Sequence, residues 1–218
     1  MNFTAPDTNV VIFRFLGGES DKKSAAENYF EKVSSGDFDG VIFHEVNNEY
    51  RKVVNREVSD IREFVNKAVD KGSWSAAESS LTVDTDFASN FLESLKQRCD
   101  SVGDGHRELN KMKKSMFSSF RRRKKKYFKE EGKKDFDENL INKVKSKIPS
   151  KGPNNDETET DARIVLSAFH FSNYNSENLK IVSDDFHMTE LNYKDVEDIL
   201  DYSNYNKYVR CTPLEKFN

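Results

Sequence analysis

Two spacings of apolar residues organise the chain. From Glu45 to Lys71, Val46, Tyr50, Val53, Val54, Val58, Ile61, Phe64, Val65 and Ala68 keep the helical period, and Gly72 closes the run. Ala25, Ala26, Tyr29, Phe30 and Val33 predict a helix ending near Ser34, opened by Ser20 or Asp21 as cap and preceded by the Gly17-Gly18 break. Phe87, Phe91, Leu92 and Leu95 predict a helix over Asp84 to Arg98, with Gly103 and Gly105 as a hinge after it. Leu109, Met112, Met116, Phe117, Phe120, Tyr127 and Phe128 then line one stripe of a further helix. A shorter amphipathic helix is expected over Asp135 to Ile148. A loop follows from Pro149 to Asn155, then a helix over Asp156 to Phe171, and a short one over Asp195 to Tyr202.

Between these helices lie short apolar, β-prone segments: Asn2 to Ala5, Val41 to Phe43, Leu179 to Val182 and Tyr208 to Cys211. The first runs up to Asp7, where a strand end and a helix start meet, with the apolar run Val10 to Leu16 behind it. Strands alternating with helices predict an α/β fold, a three-layer α/β/α sandwich around a mainly parallel sheet.

Composition refines this picture. Hydrophobic residues are 35% of the 218 and charged residues 33%, so a charged part dilutes an otherwise adequate core. No apolar run nears the roughly 18 residues of a membrane helix. Met1 to Val11 lacks the basic-then-apolar pattern of a signal peptide. Cys99 and Cys211 supply neither a disulfide framework nor a zinc cluster, and a reducing cytoplasm is the expected compartment. The net charge of −3 hides an asymmetry: His106 to Lys151 holds 17 Lys or Arg against 6 Asp or Glu, and the rest of the chain is acidic. Lys113, Lys114 and the six consecutive cations Arg121, Arg122, Arg123, Lys124, Lys125 and Lys126 are candidates for nucleic-acid binding, against the plainer reading of a solvated helix face.

Carboxylates fall where an α/β sheet places its ligands, beyond the carboxyl ends of the strands. Asp7 follows the first strand. Glu45 and Glu49, on one helix face, follow the second, and Asp184 and Asp185 follow Val182. Asp161 lies early in the helix preceding that strand. Acids gathered at one edge repel one another unless a cation joins them. All-oxygen ligands suit Mg²⁺ or Mn²⁺, and such ions serve phosphodiester cleavage. Each acid alone could equally cap a helix.

The series Asp7-Thr8-Asn9, His44 through Glu49-Tyr50, Asp161-Ala162-Arg163-Ile164 through Ala168, and Val182-Ser183-Asp184-Asp185-Phe186, with the closing Val209 to Phe217, resembles PIN-domain ribonucleases. The resemblance covers about 1–55 and 156–217. It implies a single PIN-like domain over 1–218, formed by about 1–55 and 156–218, with 56–155 a helical insertion carrying the basic block 106–151. It implies cleavage of single-stranded RNA by metal-activated water. The four acids it matches are Asp7, Glu49, Asp161 and Asp185, with Glu45 and Asp184 as rivals. Thr8, Asn9 and Ser183 would support them. A homodimer and an antitoxin-type protein partner are associations that such domains form.

Other readings stay open. Asn9 stands where a haloacid-dehalogenase-type phosphatase needs a second aspartate, and no Gly-x-x-x-x-Gly-Lys run exists. A non-catalytic nucleic-acid- or partner-binding module, and a structure-specific DNA nuclease, remain alternatives.

Overall fold

Phe3–Pro6 (β1) is short because Pro6 has no N–H to extend a ladder and Asp7 caps the next helix. It is nonetheless the central strand of the sheet. In the computed structural model, which describes residues 3–17, 19–78, 86–149, 155–201 and 208–217, β1 pairs in parallel with Asp39–Ile42 (β2) on one side and Leu179–Ser183 (β4) on the other. Phe128–Glu130 (β3) extends the sheet beyond β2, and Val209–Pro213 (β5) beyond β4. The order is β3-β2-β1-β4-β5, all parallel. The predicted three-layer sandwich is the observed one.

A parallel sheet is covered on both faces, and its strands are apolar throughout. Val41, Ile42, Leu179, Ile181 and Val182 are all buried. The alternation of β1 shows the two layers. Thr4 faces Ser20–Ser35 (α2), where the Tyr29 hydroxyl lies 3.3 Å from its Oγ1. Phe3 faces Asn155–Asn175 (α8), its ring centroid 5.1 Å from that of Phe171. Glu138–Lys145 (α7) and Tyr193–Ile199 (α10) pack beside α8. Thr8–Phe15 (α1) links β1 to α2.

His44–Lys71 (α3) carries the predicted stripe, with Val46, Tyr50, Val54, Val58, Ile61, Phe64, Val65 and Ala68 buried. It ends at Gly72, whose φ of 66° is left-handed, so the predicted stop has its physical cause. At about 1.5 Å per residue the helix is roughly 40 Å long. Trp74–Glu78 (α4) packs against it, and Gly105–Tyr127 (α6) runs back along it from Gly105, beside Val65, to Lys124, beside Asn47, with Asp86–Arg98 (α5) against both long helices. Trp74 stacks on Phe64, at 6.0 Å and 12° between planes.

Three expectations are corrected. Phe128 does not continue the stripe of α6. Its φ of −122° and ψ of 140° end that helix, and it pairs with Gly40 as the first residue of β3. Segment 56–155 therefore contributes an edge strand as well as helices. The helix predicted over Asp135 to Ile148 is only α7, because the Asp137 side chain accepts from the N–H groups of Asn139 and Leu140 and starts it late. Gly103 and Gly105 form no hinge: Ser101 and Asp104 make a reciprocal cap around Val102–Asp104, and Gly105 opens α6 in helical conformation. The predicted loop residues 150–154, the start of the predicted helix at Asp84 and the end of another at Tyr202 lie outside the described residues.

Candidate active site

The pairing of β1 with β4 builds the site. Pro6 lies opposite Val182, and the Asp7 N–H donates to the Val182 carbonyl at 2.8 Å, which brings Asp7 beside Ser183. One Asp7 oxygen caps α1, accepting from the Thr8 N–H at 2.6 Å. The other accepts from the Ser183 hydroxyl at 2.7 Å. Ser183 Oγ in turn accepts from the Asp185 N–H at 2.9 Å. Asp185 caps Phe186–Thr189 (α9) through the His187 N–H, and its second oxygen accepts from Asn9 Nδ2 at 3.3 Å. Across α1, the Thr8 hydroxyl donates to Glu49 at 2.5 Å. Three carboxylates are thus tied together by two hydroxyls and one amide.

The electrostatics follow from that placement. Asp7 is 3% exposed. Burial pushes its pKa up to about 7; the Ser183 and Thr8 hydrogen bonds oppose the rise, and the nearby Glu49 and Asp185 carboxylates add to it. Among the described residues no Lys or Arg pairs with Asp7. Asp161, in α8, is also buried. Tyr193 identifies its neighbourhood. That phenol is held well above its ordinary pKa by burial first, then by Cys211, Asp7 and Asp161, so both acids lie near enough to act on it. The Cys211 thiol is itself pushed up to about 12, by burial and then by Asp7.

The two open pairs of acids separate. Glu49 belongs to the Asp7 web, whereas Glu45 is buried and accepts from Ser167 Oγ of α8 at 3.2 Å. Asp185 belongs to the web, whereas Asp184 turns to Lys22 of α2, 3.0 Å away. Thr8, Asn9 and Ser183 all hold carboxylates. His187 turns its ring to the Pro149 carbonyl, to which Nδ1 can only donate, rather than to the acids. Sequence reasoning missed Tyr193, Cys211 and Lys22. A polar residue in the second helix and a thiol in the last strand carry no spacing signal toward Asp7.

Among the described residues, no three Asp, Glu, His or Cys side chains converge as a ready metal-ligand set. The donor chemistry fits a hard divalent cation even so. Every candidate ligand is a carboxylate oxygen, and the pKa of the most buried one is raised to about 7 by burial first and by its carboxylate neighbours next.

The basic block divides. Lys124 is turned inward, its Nζ 3.2 Å from Asn47 Oδ1 and 2.9 Å from Glu130, and it ties α6 to α3 and β3. Lys114, Arg121, Arg122, Lys125 and Lys126 are exposed, while Lys113 and Arg123 are half-buried. The aromatics do not stand free for bases: the Phe120 ring lies 4.4 Å from Tyr50 and 5.4 Å from Phe15, and Phe117 lies 6.2 Å from Tyr50. No helix among the described residues is long and apolar enough to cross a membrane. No protein-family model, curated protein or solved structure matches the chain.

Proposed function

We propose that the chain is a PIN-like, divalent-metal-dependent endonuclease that cleaves single-stranded RNA in a reducing cytoplasm. The observation that carries this reading is Asp7. A buried carboxyl flanked by Glu49 and Asp185 and compensated only by neutral donors is a poor structural element, because its charged form lacks a counter-ion. It is a good ligand for an ion absent from the protein chain itself. Asp7, Glu49 and Asp185 would hold that ion, with Asp161 completing the edge. Bound Mg²⁺ or Mn²⁺ supplies the missing positive charge and acidifies water for attack on a phosphodiester. Thr8 and Ser183 orient the carboxylates, and Asn9 fixes Asp185. The exposed cations of α6 attract the polyanion, giving salt-dependent and sequence-tolerant affinity.

A second reading, a nucleic-acid-binding module without catalysis, is favoured by the absence of a converged ligand trio among the described residues. Incubation with labelled single-stranded RNA and Mn²⁺ decides between them. The nuclease reading expects cleavage by the wild type and none by Asp7→Asn or Asp161→Asn. Equal cleavage by the variants would sink the metal-site assignment, and binding without cleavage by the wild type would establish the module. A duplex or flap DNA in the same assay tests whether DNA replaces RNA as substrate.

A further inference from the structure

We infer that Arg14 and Arg123 form a backbone-phosphate subsite at the seam of α1 and α6, for a phosphate flanking the one at the carboxylate edge. The inference rests on the nuclease reading for its direction, but not for its geometry. Arg14 follows Asp7 by two helical turns, so it lies on nearly the same face of α1, about 10 Å farther along the axis. That separation suits a strand with several phosphates rather than a mononucleotide.

The seam is rigid. The Phe15 ring meets Phe30 at 5.5 Å, Phe120 at 5.4 Å and Tyr50 at 6.2 Å. Phe120 lies one turn before Arg123, and Phe15 is next to Arg14, so the packing brings the two guanidinium groups toward each other. Their repulsion is felt: the Arg14 pKa is lowered, by burial first and by Arg123 next. Arg14 Nη1 pairs with Glu27 at 3.1 Å, but Arg123 forms no ion pair among the described residues. Glu27 and Glu31 both offset the charge on Arg14, but only Glu27 reaches ion-pair distance, and neither is paired with Arg123 among the described residues.

Unmet hydrogen bonding marks the same place. Among the described residues, the buried side-chain N or O atoms without a partner are Arg14 Nε and Tyr50 Oη. Both belong to side chains of this seam, and Tyr50 adjoins Glu49. A buried donor without an acceptor costs free energy, which the partly exposed Arg14 side chain recovers by turning Nε toward a phosphate oxygen. The guanidinium fork matches phosphate oxygens two at a time, so Nε and one Nη of Arg14 can serve one phosphate. The solvated-face reading accounts for Arg121, Arg122, Lys125 and Lys126, but not for a half-buried pair of arginines with an unmet donor.

The test is binding of a fluorescein-labelled 12-nucleotide oligouridylate, followed by anisotropy in EDTA across a salt series. The expected result is roughly tenfold weaker binding for Arg123→Gln, with a log–log salt slope shallower by about 0.7 per lost contact. Arg14→Lys, which keeps the charge but not the fork, is expected to weaken binding with the slope nearly kept. Lys194→Gln, on α10 across the sheet, should match the wild type. Wild-type affinity and slope in folded Arg123→Gln and Arg14→Lys would overturn the subsite, as would no binding by the wild type. Arg123 is half-buried on a helix surface, so Arg123→Gln decides the matter even if Arg14→Lys misfolds. Loss of binding in these variants while the wild type never cleaves would keep the subsite and discard the nuclease. Asp7-dependent cleavage indifferent to both arginines would do the reverse.

Discussion

Replacing Asp7 by Asn is expected to stabilise the protein while destroying its activity. The Asp7 carboxyl moves from 3.8 when solvated to about 7 in the fold, chiefly through burial. Below about pH 4 it is protonated in both states and costs nothing. From there to about pH 7 the unfolded chain releases this proton and the folded chain keeps it, so stability falls as pH rises. Above pH 7 the penalty is constant. At about 1.4 kcal/mol per unit, a shift of this size amounts to roughly 4 kcal/mol.

Asn is neutral and nearly isosteric. Its carbonyl can still accept from the Thr8 N–H, but its amide faces a Ser183 hydroxyl that donated to the carboxylate. Losing the charge-assisted character of these bonds offsets about 1–2 kcal/mol, leaving a net gain of about 2–3 kcal/mol at pH 8. At about 2–4 °C per kcal/mol for a chain of this size, Tm should rise by about 5–10 °C. The assay is calorimetry at pH 5, 6, 7 and 8 in EDTA. Wild-type Tm should fall across that range and the variant's should not. Added Mg²⁺ or Mn²⁺ should then raise Tm in the wild type alone, by mass action on the folded state. An Asn variant less stable than the wild type at pH 8, with the wild-type pH dependence retained, would refute the reasoning, because it would show Asp7 to be electrostatically satisfied.

Other substitutions test the separation of the acids and the packing beneath them. Glu49→Gln should lower cleavage by more than about 100-fold, the upper range for outlying partners of a metal site. Glu45→Gln should leave cleavage close to wild type, since Gln still accepts from Ser167. Asp184→Asn breaks only a partly exposed pair with Lys22, so urea unfolding should shift by less than about 1 kcal/mol and cleavage should persist. Gly40→Ala places a Cβ 2.6 Å from Val33 Cγ1 and 2.7 Å from Phe128 Cδ1, and urea unfolding should show a loss of about 1–3 kcal/mol.

The layers of the fold were readable because their periods are long. Ten buried positions of α3 repeat one spacing, and no strand could carry it. β3 was not readable. Three residues with one buried side chain hold no period, and only the approach of Gly40 to Phe128 explains why they pair. The carboxylates were legible as a set, since each follows a strand or opens a helix. Their roles were not: Glu45 and Glu49 share a face, and Asp184 and Asp185 are adjacent. What separates them is a hydroxyl for three of the four, Ser167 for Glu45, Thr8 for Glu49 and Ser183 for Asp185, and a lysine of α2 for Asp184. Apart from Ser183, two residues before Asp185, those partners come from other elements, so no local pattern records them.

The charge asymmetry takes a different meaning once the elements are placed. Six consecutive cations look uniform in sequence, yet α6 spends Lys124 on Glu130 and Asn47 and leaves Arg123 without an ion pair among the described residues. Phe120 of the same helix packs on Tyr50, the neighbour of Glu49. Cations and carboxylates therefore stand close without the simple remedy of pairing Asp7 with an arginine. Asp7 accepts instead from a backbone N–H and a serine hydroxyl, and Arg14 turns to Glu27. A cation paired with Asp7 would oppose the rise in pKa that burial causes, and the fold does not supply one from the described residues. Keeping the two signs adjacent but apart favours a ligand that carries both complements, a phosphodiester for the arginines and a divalent cation for the acids.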